Sequence, residues 1–184
     1  MNYALKQRAA AVVLVFVCGS GLIQTASCDD HSAKIRAEAV RMSDALLNGD
    51  YQTVADYTFP WVLKEIGGEK KMLEVLKQSN LQMQNQGIRY SSVNIGSPEP
   101  VREIDGKWYA LVPETIRIEV PQGILIQESH LLAVSEDKGN RWYFVDTASL
   151  AEEEKLAAVF PALVGKMKIP IRKQPVLTSK KQGN

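Results

Sequence analysis

Histidine and cysteine are scarce, with two of each among 184 residues. His31 and His130 stand far apart, and neither lies at ligand spacing from a cysteine or a carboxylate cluster. That leaves no zinc-type site, and no motif asks for a cofactor. A G-x-S-x-G elbow, which would present a nucleophilic serine, is missing. Gly67-Gly68 is followed by no lysine-serine pair, so no phosphate-cradling loop is present either. Charge of one sign is also lacking: 22 Lys and Arg against 21 Asp and Glu give a net charge of +1, without the basic excess of a nucleic-acid partner. No internal repeat is visible. What remains, 45% hydrophobic and 23% charged residues, is the composition of one folded domain with a proper core.

Only one stretch is continuously apolar. Met1 to Arg8 is short and basic, Ala9 to Val17 is almost purely aliphatic, and no charge follows until Asp29. These are the basic and apolar regions of a secretory signal, predicted over residues 1–27. A membrane span needs about 20 mostly apolar residues. Here Gly19, Ser20, Gly21, Gln24, Thr25 and Ser27 dilute the second half. Thr25-Ala26-Ser27-Cys28 resembles a bacterial lipobox, in which the cysteine takes a diacylglycerol and becomes the new N-terminus. Thr25 departs from it, since an aliphatic residue is preferred there. Cleavage would remove Cys18 and leave Cys28 as an unpaired thiol at the first position, which lipidation explains and a disulfide does not. The alternative is ordinary cleavage near Ser27 that leaves an incidental cysteine. The resemblance implies a membrane partner through a lipid anchor and a place in the cell envelope, with the leaflet left open.

In the exported part, Ile35, Ala39, Met42 and Leu46 form one stripe of an amphipathic helix that stops at Asn48-Gly49. Asp50 caps a second helix through Tyr57, Pro60 opens a third to Ile66, and a fourth runs from Glu69 to about Gln86. The period then changes. Ile88–Ile95, Lys107–Val120, Gly123–Ser135 and Arg141–Thr147 are rich in branched and aromatic residues and separated by turn signals. They predict an antiparallel meander of four or five strands. Ser149-x-x-Glu152 is a capping box for a helix reaching Phe160. Residues 28–165 thus form a single α+β domain, and 166–184 an extended basic strap ending in a disordered tail.

Helices followed by a meander, over residues 32–148, resemble the nuclear transport factor 2-like superfamily, which includes ketosteroid isomerases and polyketide cyclases. Asp56-Tyr57-Thr58-Phe59-Pro60, Ile66-Gly67-Gly68 and the run from Asn140 to Asp146 also resemble uncharacterised exported bacterial proteins of this shape. The resemblance implies helices closed over a curved antiparallel sheet, a cone with a pocket inside.

Candidate chemistry is thin. On one parity of the strand from Lys107, Glu114 is the only polar residue among Trp108, Ala110, Val112, Ile116, Ile118 and Val120. If Val120 pairs with Gly123, Glu114 falls opposite Ser129 and beside His130, a possible base with its orienting partner. Against this, Pro113 lacks a ladder donor and marks an edge or a bulge, and a one-residue slip turns Glu114 outward. Asp146 is expected to end a strand or cap the next helix, and His31 to be solvated. Tyr57, Trp61, Trp108 and Trp142 are candidates to line a pocket, or else plain core. The resulting expectation is a non-catalytic envelope module that binds a small molecule or a partner protein. The alternatives are an acid–base isomerase or lyase using Glu114 and His130, and a structural subunit of an envelope assembly.

Overall fold

Two tight turns organise the sheet. Asp105 and Gly106 both take positive φ, 53° and 74°, the requirement of the commonest two-residue hairpin. Pro121-Gln122 joins Val120 directly to Gly123. The computed structural model describes residues 27–179, with side chains from residue 31. Residues 1–26 of the expected signal, with Thr25 and Ala26 of the lipobox, the Cys28 side chain and residues 180–184 lie outside these.

Four helices come first: α1 (Ser27–Asn48), α2 (Tyr51–Tyr57), α3 (Pro60–Ile66) and α4 (Glu69–Asn85). Asp50 caps α2 as its sequence position predicts, accepting from the Thr53 backbone N–H at 3.1 Å. Six antiparallel strands follow: β1 (Arg89–Ile95), β2 (Arg102–Ile104), β3 (Lys107–Val120), β4 (Gly123–Ser135), β5 (Tyr143–Asp146) and β6 (Val176–Ser179). The long β3–β4 hairpin is the axis of the open sheet. β1 and β2 share the outer side of β3, while β5 and β6 share the outer side of β4. The protein is therefore α+β, with its main helical layer preceding the sheet. Among the described residues no helix is long and apolar enough to cross a membrane.

The sheet is covered on both faces. Ile35 and Ala39 of α1 pack on Ala110, Val112, Leu131, Ala133 and Phe144. Tyr109, Leu111, Leu132 and Val134, of the other parity, meet Phe160, Leu163 and Met167 from the C-terminal segment. The chain crosses between faces at the edge of β5, where the Phe59 N–H donates to the Phe144 carbonyl at 3.1 Å. Tyr57 packs on the first face, and Phe59 and Trp61 on the second.

Two expectations are corrected here. The capping box at Ser149 does not form: a 3-10 turn, Thr147–Leu150, precedes α5 (Glu153–Val159). Ser149 Oγ donates instead to the Asp146 carbonyl, and Asp146 caps the turn by accepting from the Ala148 N–H at 2.9 Å. Pro113 makes no bulge against β4, because its carbonyl accepts from the Gly96 N–H where β1 leaves the sheet. A strand residue's N and C=O point to the same side, so its missing donor faces the departing chain and not β4. Within the strap, Val176–Ser179 pair with Gly123–Ile126 as a sixth strand that no sequence pattern announces.

That docking explains Gly123. A Cβ there would collide with the Thr178 carbonyl oxygen, and its φ of 156° is one that L side chains rarely adopt. Gly123→Ala is expected to destabilise by about 1–3 kcal/mol and to release β6 selectively. Hydrogen exchange should then show loss of protection at Val176–Ser179 with β3 and β4 unaffected. Unchanged protection there would refute the close approach.

Candidate functional site

Without a bulge between β3 and β4, the Pro121-Gln122 turn carries its register down the hairpin and sets Glu114 opposite Ser129. β5 pairs Asp146 with Leu131, on the same face. In β1 the register shifts between Tyr90 and Ser92, so that Tyr90 opposes Ile118 and Val93 opposes Ile116. Three residues apart, they would otherwise point to opposite faces; the bulge turns both toward Glu114.

These residues wall a cavity of about 210 Å³ between the sheet and the helical layer. Met42, Ser43 and Leu46 of α1 and Val54 of α2 close it from above, and Val93, Ile116 and Leu131 form its apolar floor. Its polar groups are the Glu114 carboxyl, Asp146, Tyr90, Ser43 and, from the strap, Arg172. Asp146 is well partnered. Oδ1 accepts from Ser129 Oγ at 3.3 Å and from the Ala148 N–H, while Oδ2 pairs with the Arg172 guanidinium.

Glu114 is not. Only 8% exposed, it is reached by no hydrogen-bond donor among the described residues. Burial, reinforced by the Asp146 charge and opposed by Arg172, pushes its carboxyl from an ordinary 4.5 up to about 7. Burial likewise raises the Tyr90 phenol. The result is a carboxyl that exchanges its proton near neutrality, beside a charge pair that Arg172 and Asp146 complete between themselves. It can donate or accept a hydrogen bond, or serve as a general acid or base. For a metal the set is poor: among the described residues no three His, Cys, Asp or Glu side chains converge.

No protein-family model and no curated protein matches this chain.

The other residues picked out by pattern lie elsewhere. His130 pairs with Pro113, so its side chain leaves the opposite face of the sheet and cannot orient Glu114. Trp142 is fully buried core. Trp108 meets His31 edge-on at 4.9 Å between ring centroids, so His31 is part-buried and packs on that ring rather than being fully solvated. Trp61 packs on the far face, and Tyr57 borders a separate surface groove with Glu38, Arg41 and Arg141. None of the four aromatics lines the Glu114 cavity. Conversely, sequence patterns missed Asp146 and Arg172 as partners. A charge ending the apolar run Tyr143-Phe144-Val145 was a usable signal for the first. Arg172 reaches Asp146 from twenty-six residues further along the chain, and no local pattern announces that.

Proposed function

We propose that this protein is an exported envelope module, held at a membrane surface by a lipid on Cys28, that binds a small molecule in the Glu114 cavity. The leader and its lipobox-like end motivate the first half. Glu114 carries the second: a residue nine-tenths buried, its carboxyl without a hydrogen-bond donor among the described residues and opening on a largely apolar cavity. A carboxyl there lacks a protein partner and is free to take one from a molecule that enters the cavity. A pocket between a helical layer and an antiparallel sheet also supports the resemblance to the nuclear transport factor 2-like cone.

One experiment tests both halves. The protein, expressed with its own leader in bacteria, is recovered from membranes and weighed under denaturing and native conditions. The denatured mass should equal residues 28–184 plus acyl chains. The native spectrum should add a small molecule, absent when Val93→Phe fills the cavity. An unacylated mass removes the anchor, and a native mass indifferent to Val93→Phe removes the ligand site.

A second reading, acid–base isomerisation or elimination, is favoured by the neighbouring carboxyls. Asp146 is tied to Arg172 while Glu114 titrates near neutrality, the division of labour that proton transfer requires. It is distinguished by the fate of the recovered molecule. Chemical conversion by the wild type, abolished in Glu114→Gln while binding persists, would make the protein an enzyme.

A further inference from the structure

We infer that the cavity selects a small organic ammonium ion, an amine with an apolar body of about eight non-hydrogen atoms, whose charged head pairs with Glu114. This rests on the proposal that the cavity is a ligand site, and it names the ligand's chemistry.

The charges around the cavity point this way. α1 and α2 contribute Met42, Ser43, Leu46 and Val54, none of them charged. β1 brings the Tyr90 phenol, β3 Glu114, β5 Asp146 and the strap Arg172. Arg172 is the one cation in the lining, and Asp146 already engages it. Glu114 is left as the group without a counterpart. An anionic ligand would find in Arg172 a cation whose charge Asp146 already balances, and would sit beside two carboxyls, which is unfavourable. A neutral acceptor would satisfy Glu114 only in its protonated form. An ammonium brings donors alone, and a charge of the sign that the site lacks.

Shape sets the rest. A cavity of ~150 Å³ lined by aliphatic and aromatic side chains takes up benzene. At about 210 Å³, this one has room for a molecule slightly larger. Leu46, Val54, Val93, Ile116 and Leu131 would hold its apolar body. Proton balance then makes a distinctive demand. The Glu114 carboxyl gives its proton to solvent as the ammonium arrives, so each ligand bound at low pH releases one proton. With the free carboxyl titrating at about 7, affinity should climb as pH rises toward neutrality and level off above it.

Benzylamine, benzyl alcohol and benzoate are matched in size and differ in charge. Each is titrated into the purified protein by calorimetry or protein-observed magnetic resonance at about pH 8. Benzylamine should bind at least about tenfold tighter than benzyl alcohol, benzoate least, and Glu114→Gln should erase the preference for the amine. Between about pH 8 and pH 6 benzylamine affinity should drop about tenfold while that of the alcohol stays level. The wild-type series and its pH dependence decide the matter even if the variant is poorly behaved. Amine and alcohol binding equally, or benzoate binding best, overturns the ammonium assignment and leaves the ligand site standing. If none of the three binds, both the assignment and the site fall.

Discussion

Glu114→Gln is expected to raise stability at about pH 8 by on the order of 3 kcal/mol, and to change it little below about pH 4.5. The sign follows from proton counting. The folded carboxyl titrates at about 7 and the unfolded one near 4.5, so between these values the native state binds more protons than the unfolded state. Stability therefore falls as pH rises through that window, and above it the wild type bears the full penalty of a buried, unpartnered charge. Glutamine has nearly the same shape and no charge to desolvate. Urea unfolding of both proteins at the two ends of the window measures the difference, and the melting temperature should move by about 6–12 °C at the alkaline end. Equal stability at every pH would mean that the carboxyl ionises without cost, contrary to its burial. A residue that weakens the empty fold at neutral pH is better explained by what it binds than by what it holds together.

Phe160→Ala is expected to cost about 3–5 kcal/mol. Phe160 lies just after α5 and is almost fully buried, with ring centroids 5.1 Å from Phe59 and 6.0 Å from Tyr109. It fastens the C-terminal segment over the second face of the sheet, together with Leu163 and Met167. Removing it opens a cavity among Tyr109, Leu111 and Leu132, and the cost should appear as a lower urea midpoint in a single transition. A loss below about 1 kcal/mol would show that this cover is not part of the cooperative unit.

The helices and the hairpin were legible because their signals are local. Asp50 before α2, Asp105-Gly106 and Pro121-Gln122 each act within a few residues, and a two-residue turn transmits its register along the whole of β3 and β4. That is why Glu114 could be placed opposite Ser129. His130 was misjudged for the same geometrical reason, since adjacent residues of a strand lie near in sequence and on opposite faces. β6 escaped notice because it joins through its backbone: its side chains are exposed, Leu177 at 52%, so burial stamps no alternation on the segment. The second covered face was hidden too. Where both faces are buried, a strand reads as a continuous apolar run such as Tyr109 to Val112 and loses the period that would say which side is wet. Arg172 and Asp146 meet through the third dimension alone.

The placement of the β3–β4 hairpin in the chain sets an order of events during synthesis. Ile35 and Ala39 of α1 are turned toward strands that come later, so when Asn85 emerges the partners of that stripe do not yet exist. About fifty residues separate the end of α4 from Ser135, a few seconds of elongation at ~5–20 residues per second. During that interval the helices can meet only one another, through Ala45, Val54, Ala55 and Met72, and the seven-residue α2 and α3 are too short to hold their own shape in water. The nascent chain thus stays incompletely packed until its last third, which begins at β4, appears.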